Sequence, residues 1–146
     1  MLVSTGMYWH SNSPPTAMAL ISRQKLMGGP GLHYGVAQVD LFGQVHEVVH
    51  LTHNSKVVSE SLHDFLAGLP IRGWVAVTDP SAVLVAHARL QTAIRNSSRW
   101  RYDLAGRNCE HFARWIVFGH DRSDQVAQCA FFGLTGLLIY AFGQTG

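Results

Sequence analysis

The stretch GRNCEHFARW, residues 106–115, places a cysteine, an acid and a histidine at three consecutive positions. A cysteine becomes a nucleophile when its thiolate is stabilised, and the free N–H groups at a helix N-terminus provide such stabilisation. Asn108 is a good N-cap residue, so the sequence predicts a helix from Cys109 to about Gly119. The backbone N–H of Cys109, with Asn108 beside it, could then hold the oxyanion that develops during acyl transfer.

A nucleophilic Cys109 would need a base from elsewhere in the chain, because His111 points to a different side of the helix. The candidates lie in segments predicted as strands: His33, His46, His50 and His53. His46 and His50 share parity and therefore a strand face, and His33 on the neighbouring strand could lie beside either. A helix-start cysteine with a strand histidine and an orienting partner is the papain-like arrangement of thiol catalysis.

Two other interpretations of Cys109 stay open. A free cysteine is most often a small buried residue. Zinc binding is the second possibility, but the chain has no C-x-x-C pair, so neither a metal nor another cofactor is expected. The other cysteine, Cys129, lies in an apolar stretch, which argues against a disulfide and for a reducing compartment.

Composition indicates one globular domain with some attraction to apolar surroundings. The chain has 146 residues, of which 47% are hydrophobic and only 14% are charged. A net charge of +2 does not require a nucleic-acid partner. The first ten residues lack the basic end and apolar core of a secretory signal, so none is expected.

Alternating and β-branched patterns predict four strands between residues 33 and 78. They are HYGVAQV (33–39), VHEVVHLT (45–52), SKVVSE (55–60) and GWVAVT (73–78). The first two would form a hairpin that turns at residues 42–44. The segment SLHDFLAGLP (61–70) is ambiguous, and WRYDL (100–104) looks like a further strand.

Two more helices are expected. Asp79 as N-cap and Pro80 at the first position predict an amphipathic helix that ends near Arg95. A short helix is also possible from Thr16 to Lys25, within breaker-rich residues that we interpret as an N-terminal extension. Together these elements predict an α+β fold, in which an antiparallel sheet packs with helices and a hydrophobic helix follows at the C-terminus.

The C-terminal tail carries no charged residue from Val126 to Gly143. A helix that spans a bilayer needs about 20 apolar residues, so this stretch is slightly short. Its glycines are better tolerated in membrane helices than in soluble ones. A membrane anchor or interfacial helix is one interpretation, and a buried core helix is the other.

Several of these motifs resemble the lecithin retinol acyltransferase family, especially its phospholipase/acyltransferase branch (the HRAS-like suppressor proteins). NCEHFARW resembles the Asn-Cys-Glu-His-Phe motif of the family, GLHYGV its H-box, and VVHLT its second histidine strand. The resemblance covers residues 31 to about 143. It implies a permuted NlpC/papain-like α+β domain over residues 31–122, preceded by an extension (1–30) and followed by a hydrophobic tail (123–146).

The resemblance also implies roles for the candidate residues. Cys109 would accept an acyl chain from a phospholipid as a thioester, His33 would act as base and then acid, and His50 would orient His33. His46 competes for the last role, because His33 and His50 are separated by more residues than is usual in the family. Water or an amine would release the acyl group, and the tail would hold the domain at the lipid surface.

A second branch with these motifs is the H-box/NC type of picornavirus 2A protein (kobuvirus-like). The residues before the H-box and the end AFGQTG, which suits a polyprotein cleavage site, resemble that branch. This resemblance implies a viral non-structural protein that supports RNA replication, not a protease. It would act in the host cytoplasm, on intracellular membranes, with host or viral replication proteins as partners.

A modest basic cluster makes RNA a possible partner. It consists of Arg95, Arg99, Arg101 and Arg107. Arginines can contact phosphates, and Trp100 and Tyr102 lie nearby as possible stacking residues. A solvated charged surface is the simpler explanation for the same four residues.

Overall fold

A computed structural model describes residues 13–28, 31–102 and 108–120 of the chain. These residues form one antiparallel sheet of five strands in the order β4-β3-β2-β1-β5, with helices packed on both faces. The strands are β1 (Ala17–Gln24), β2 (Leu32–Val39), β3 (Val45–Leu51), β4 (Val57–Glu60) and β5 (Ile71–Val77). The helices are α1 (Leu62–Leu66), α2 (Pro80–Arg95) and α3 (Cys109–Phe118), with a 3-10 turn at Ser97–Arg99. The expected mixture of helices with an antiparallel sheet is confirmed.

The four predicted strands are confirmed as β2 to β5, and β2 and β3 form the predicted hairpin. Its turn is held by Asp40, whose Oδ1 accepts hydrogen bonds from the backbone N–H groups of Phe42 and Gln44. Gly43 has φ +76°, a left-handed conformation that glycine adopts without steric cost. The hairpin matters for function because it carries both candidate catalytic histidines.

The helix predicted from Thr16 to Lys25 is wrong, because this segment is β1. Residues 18–23 are all buried, since β1 lies between β2 and β5 and is covered on both faces. A short apolar run that is buried on both faces shows no alternation, so its pattern resembles that of a buried helix. β1 thus lies within residues 1–30 and joins the sheet, while the three-part division of the chain stays a prediction.

The two longer helices begin at the predicted caps. The Asp79 side chain accepts a hydrogen bond from the backbone N–H of Ala82 at the start of α2. The ambiguous segment 61–70 contains α1, which begins after Ser61. The strand predicted at 100–104 is wrong for its described part, since residues 100–102 follow the 3-10 turn as irregular chain.

The helices divide the buried residues into two cores. The larger core lies between the sheet and helices α2 and α3, and it includes Leu20, Tyr34, Val36, Val49, Leu90, Cys109, Phe112 and Ile116. The smaller core lies under α1 and consists of Ala19, Ile21, Ala37, Val48 and Phe65. Alternate residues of each strand point to opposite faces, so the two cores share the same three strands.

Within the described ranges, no helix combines the length and apolar character that a membrane crossing requires. The hydrophobic tail (123–146) and Cys129 lie outside the described residues.

Candidate active site

Cys109 occupies the first turn of α3, as the cap residue Asn108 predicted. The side-chain oxygen of Asn108 accepts hydrogen bonds from the backbone N–H groups of Glu110 and His111, at 3.0 and 3.1 Å. The helix ends at Gly119, whose φ of +80° forms a left-handed C-cap. Asn108 therefore positions the start of the helix, and Cys109 is 4% exposed in the larger core.

The surroundings of Cys109 favour a neutral thiol. Burial raises the pKa of Cys109, and the backbone N–H of Tyr34, the charge of Lys25 and the N–H groups of the first turn oppose this effect only in part. The protonated thiol is therefore the favoured form of Cys109 in this structure.

His33 and His50 lie side by side on the hairpin, and Glu60 of β4 extends the contact. His33 Nε2 lies 2.9 Å from His50 Nδ1, and His50 Nε2 lies 2.8 Å from Glu60 Oε1. A carboxylate only accepts, so the hydrogen-bond network assigns the His50 proton to Nε2. His50 Nδ1 then accepts from His33 Nε2–H, which leaves His33 Nδ1 as a free base.

Both imidazoles are held neutral. Burial, followed by the neighbouring His50 and Arg23, lowers the pKa of His33 to about 3. Burial also lowers the pKa of His50, although the Glu60 carboxylate opposes that change. A neutral imidazole can accept a proton, but a pKa of about 3 makes His33 a weak base in this arrangement, because a general base works best with a pKa near the working pH.

Phe65 of α1 supports this histidine pair from below. Its ring centroid lies 5.7 Å from that of His33 and 5.4 Å from that of His50. Phe65 approaches so closely because β2 has a glycine at position 35, where a Cβ atom would lie 2.7 Å from Val48 Cγ1 and 3.1 Å from the Phe65 ring. The Arg23 guanidinium stacks on the same ring at 5.1 Å.

Cys109 lies on the sheet face that carries the larger core, near the start of β2. His33 and His50 lie near the same end of β2, on the opposite face. His33 contacts Phe65 of the smaller core, whereas the next residue, Tyr34, packs with Cys109 in the larger core. Within the described residues, no hydrogen bond joins the Cys109 thiol to either imidazole. The structure thus brings His33, His50 and Glu60 together and places Cys109 beside the strand residue that follows His33.

A small cleft opens beside the thiol. It has a volume of about 280 Å³ and is lined by Lys25, Gly31, Leu32, Tyr34, Tyr102, Asn108, Cys109 and Glu110. The cleft therefore reaches Cys109, although that residue itself is only 4% exposed.

Glu60 is the site residue that sequence reasoning missed. It lies at the end of β4, in register with Val48, and therefore on the same sheet face as His50 two residues further along β3. The order and register of β3 and β4 were needed to see this proximity. The sequence signal that could have identified Glu60 was an acidic residue at the end of the strand that follows the strand with His50.

His46 does not join the histidine pair. It is exposed at the opposite end of β3, where the ladder with β2 shifts register. There it lines a cavity with Gln38, Glu47 and His87. Of the two residues considered for the orienting position, the structure brings His50 to His33.

The basic cluster is partly visible. Arg95, Arg99 and Arg101 are exposed, and Arg107 lies outside the described residues. Trp100 is packed against Phe112, with ring centroids 4.8 Å apart, so it belongs to the core and is not a free stacking surface. No group of three metal-ligating side chains occurs in the described ranges.

Comparison with known proteins gives one family match. The sequence profile described as "Lecithin retinol acyltransferase" matches residues 26–122, which include Cys109, His33, His50 and Glu60. No curated protein sequence and no solved structure matches the chain significantly.

Proposed function

The chain belongs to the lecithin retinol acyltransferase family, and from this premise we propose that it transfers acyl chains from phospholipids through a thioester on Cys109. The observation that carries the proposal is the hydrogen-bonded series from Glu60 through His50 to His33. An oriented, neutral imidazole near a helix-start cysteine is what acyl transfer by a thiol requires. The permuted NlpC/papain-like topology is part of the same proposal.

The chemistry follows from the proton positions. His33 Nδ1 takes the thiol proton while the sulfur attacks the ester carbonyl, and the C–O bond to the lysophospholipid breaks. The leaving alkoxide receives the proton from His33. Water or an amine then attacks the thioester, gives its proton to His33 and releases the acyl group, which returns the thiol.

This mechanism requires the Cys109 sulfur and His33 Nδ1 to come within hydrogen-bond distance. Catalytic contacts are often long before the substrate binds and tighten in the complex. We propose that a lipid in the cleft beside Tyr34 draws the two groups together. The Cys109 backbone N–H, at the positive end of α3, would hold the oxyanion.

A second function is favoured by the absence of a hydrogen bond between the Cys109 thiol and the imidazoles of His33 and His50. A buried, neutral thiol with no imidazole partner suits a scaffold that is retained for binding. We propose as the alternative an H-box/NC protein of the picornavirus 2A type, acting on intracellular membranes of the host cytoplasm with host or viral replication proteins. The exposed Arg95, Arg99 and Arg101 support RNA contact in that case.

The deciding experiment uses the full chain with phosphatidylcholine vesicles. Fatty-acid release and covalent acylation are followed by mass spectrometry for the wild type, Cys109→Ala and the matched control Cys129→Ala. The enzyme proposal expects an acyl adduct on Cys109 that survives in the control and is lost in Cys109→Ala. Folded protein with neither adduct nor release contradicts it and favours the binding scaffold.

The RNA part of the alternative has its own test. Binding of single-stranded RNA to the arginine cluster should weaken steeply with salt, because contacts to phosphates release counterions. Arg99→Ala combined with Arg101→Ala should reduce the salt dependence. Binding that is insensitive to salt would contradict an electrostatic RNA surface.

A further inference from the structure

Part of the inner face of β5 is not covered by any other described residue of the chain. Val75 of β5 is paired in register with Leu20 of β1, which is buried in the larger core. Both side chains point to the face that carries α2 and α3, yet Val75 is 53% exposed. Among the described residues, the helices pack mainly on β1, β2 and β3; on β5, Val77 contacts the larger core, whereas Val75 stays exposed.

The uncovered face forms a groove between β5 and α3, which we call the β5 groove. It is lined by Leu20, Ser22, Leu32, Tyr34, Arg72, Gly73, Trp74, Val75, Arg114 and Phe118. Phe118, the last residue of α3, also lines an adjoining depression with Val77 and Val85. The surface therefore continues from β5 past the end of α3 to α2, with apolar residues interspersed with polar and charged ones such as Arg72.

The same chain has an apolar segment only a few residues after the end of α3, and α3 ends beside the β5 groove. α3 ends at Phe118, and His120 lines the adjoining depression. The uncharged stretch begins at Val126 and runs to Gly143. The residues between His120 and Val126 can span about 20 Å when extended, so the stretch can reach the groove without strain.

We propose that the apolar segment 126–143 of the same chain docks in the β5 groove when no membrane is present. Burial of apolar side chains on both partners drives the contact. A short tether gives the segment an effective concentration in the millimolar range, so a modest affinity is sufficient. Arg114, which lines the groove, is ion-paired with Glu110 and therefore does not oppose an apolar occupant.

The docked segment lies next to the candidate active site. Leu32 and Tyr34 line both the β5 groove and the cleft at Cys109. This inference holds whether or not the chain is an enzyme.

The test places a photocrosslinker in the full-length chain. Val75 is replaced with p-benzoylphenylalanine, and the matched control carries the same group at Phe42, which is 84% exposed in the β2–β3 turn. Irradiation of dilute, lipid-free protein followed by peptide mapping should show intramolecular crosslinks from position 75 to residues 126–143, about tenfold above the control.

A second variant tests whether the apolar character of segment 126–143 is needed for docking. Leu138→Asp, combined with the crosslinker at position 75, should lower the crosslink yield several-fold, because a charged side chain resists burial. Crosslinks that join two chains and grow with protein concentration would overturn the proposal in favour of a second copy. Crosslinks from position 75 to added phosphatidylcholine alone, with none to the tail in lipid-free protein, would overturn it in favour of a membrane-facing surface.

Discussion

The candidate site has a histidine half, formed by His33, His50 and Glu60, and a cysteine half, formed by Cys109. The two halves are held in different ways. On the α1 face, both ring nitrogens of His50 are hydrogen-bonded, and three strands fix the series from His33 to Glu60. On the other face, Cys109 is positioned by a helix cap and by burial, without a side-chain hydrogen bond to either imidazole. The histidine half is thus held by its own hydrogen bonds, whereas the cysteine half relies on the helix cap and on packing. Variants that act on one half alone test this difference.

The largest effect is expected at the sulfur. Cys109→Ala should lower phospholipid acyl transfer by at least about 10³-fold, because the nucleophile is removed. The initial rate of fatty-acid release from vesicles measures this loss. Cys129→Ala should keep the wild-type rate, and a Cys109→Ala protein that retained activity would place the chemistry elsewhere.

Phe65→Ala should have the largest effect on stability. Phe65 is fully buried and contacts both histidine rings, and replacement of a buried phenylalanine by alanine costs about 3–5 kcal/mol. Urea unfolding measures the free energy of unfolding. Phe42→Ala, at an exposed turn position, is the control and should change it by less than about 0.5 kcal/mol. Equal losses for the two variants would contradict the supporting role of Phe65.

Glu60→Gln tests the proton arrangement of the histidine half. The amide can donate to His50 Nε2 as well as accept, so the tautomer that leaves His33 Nδ1 free is no longer enforced. Loss of such an orienting partner typically costs about 10–100-fold in activity, and kcat should carry the loss because substrate contacts stay intact. Glu47→Gln, on the neighbouring strand β3 but on the opposite face of the sheet, is the matched control. Equal rates for the two variants would separate Glu60 from catalysis.

The low pKa of His33 predicts a stability change with pH. Its pKa in the folded state is about 3, against an ordinary value of 6.5, so the unfolded chain binds more protons between these values. The free energy of unfolding should therefore fall as pH decreases from 6.5 towards 3, by at most about 1.4 kcal/mol per pH unit from this group. His33→Gln should reduce the slope, whereas Phe42→Ala, at an exposed position without a titratable group, should not. A slope unchanged in His33→Gln would contradict the assignment.

The smallest effect is expected at the helix cap of the cysteine half. Asn108→Ala removes the acceptor for two backbone N–H groups and should cost about 1 kcal/mol of stability. Asp79→Ala at the cap of α2 should cost a similar amount without changing activity. If both variants reduced acyl transfer equally, the cap of α3 would have no special role in placing Cys109.

The sequence predicted best where the signal is local. Caps at Asp79 and Asn108 fixed the starts of α2 and α3, and alternation located β2 to β5 together with their hairpin. The error at residues 16–25 arose because a strand that is buried on both faces loses its alternation. Long-range proximity was harder, since Glu60 joins His50 only through the pairing of β3 with β4. The separation of Cys109 from His33 depends on which face of β2 α3 covers, and no local pattern encodes that choice.

The position of β1 has a practical consequence for anyone who prepares this protein. The family profile begins at residue 26, but the strand between β2 and β5 consists of residues 17–24. A fragment trimmed to residues 26–122 would lose the strand that joins β5 to the rest of the sheet, and the exposed edges of β2 and β5 would be prone to pair with other chains. The extent of sequence similarity and the extent of the folding unit differ here, and an expressed fragment should begin before Ala17.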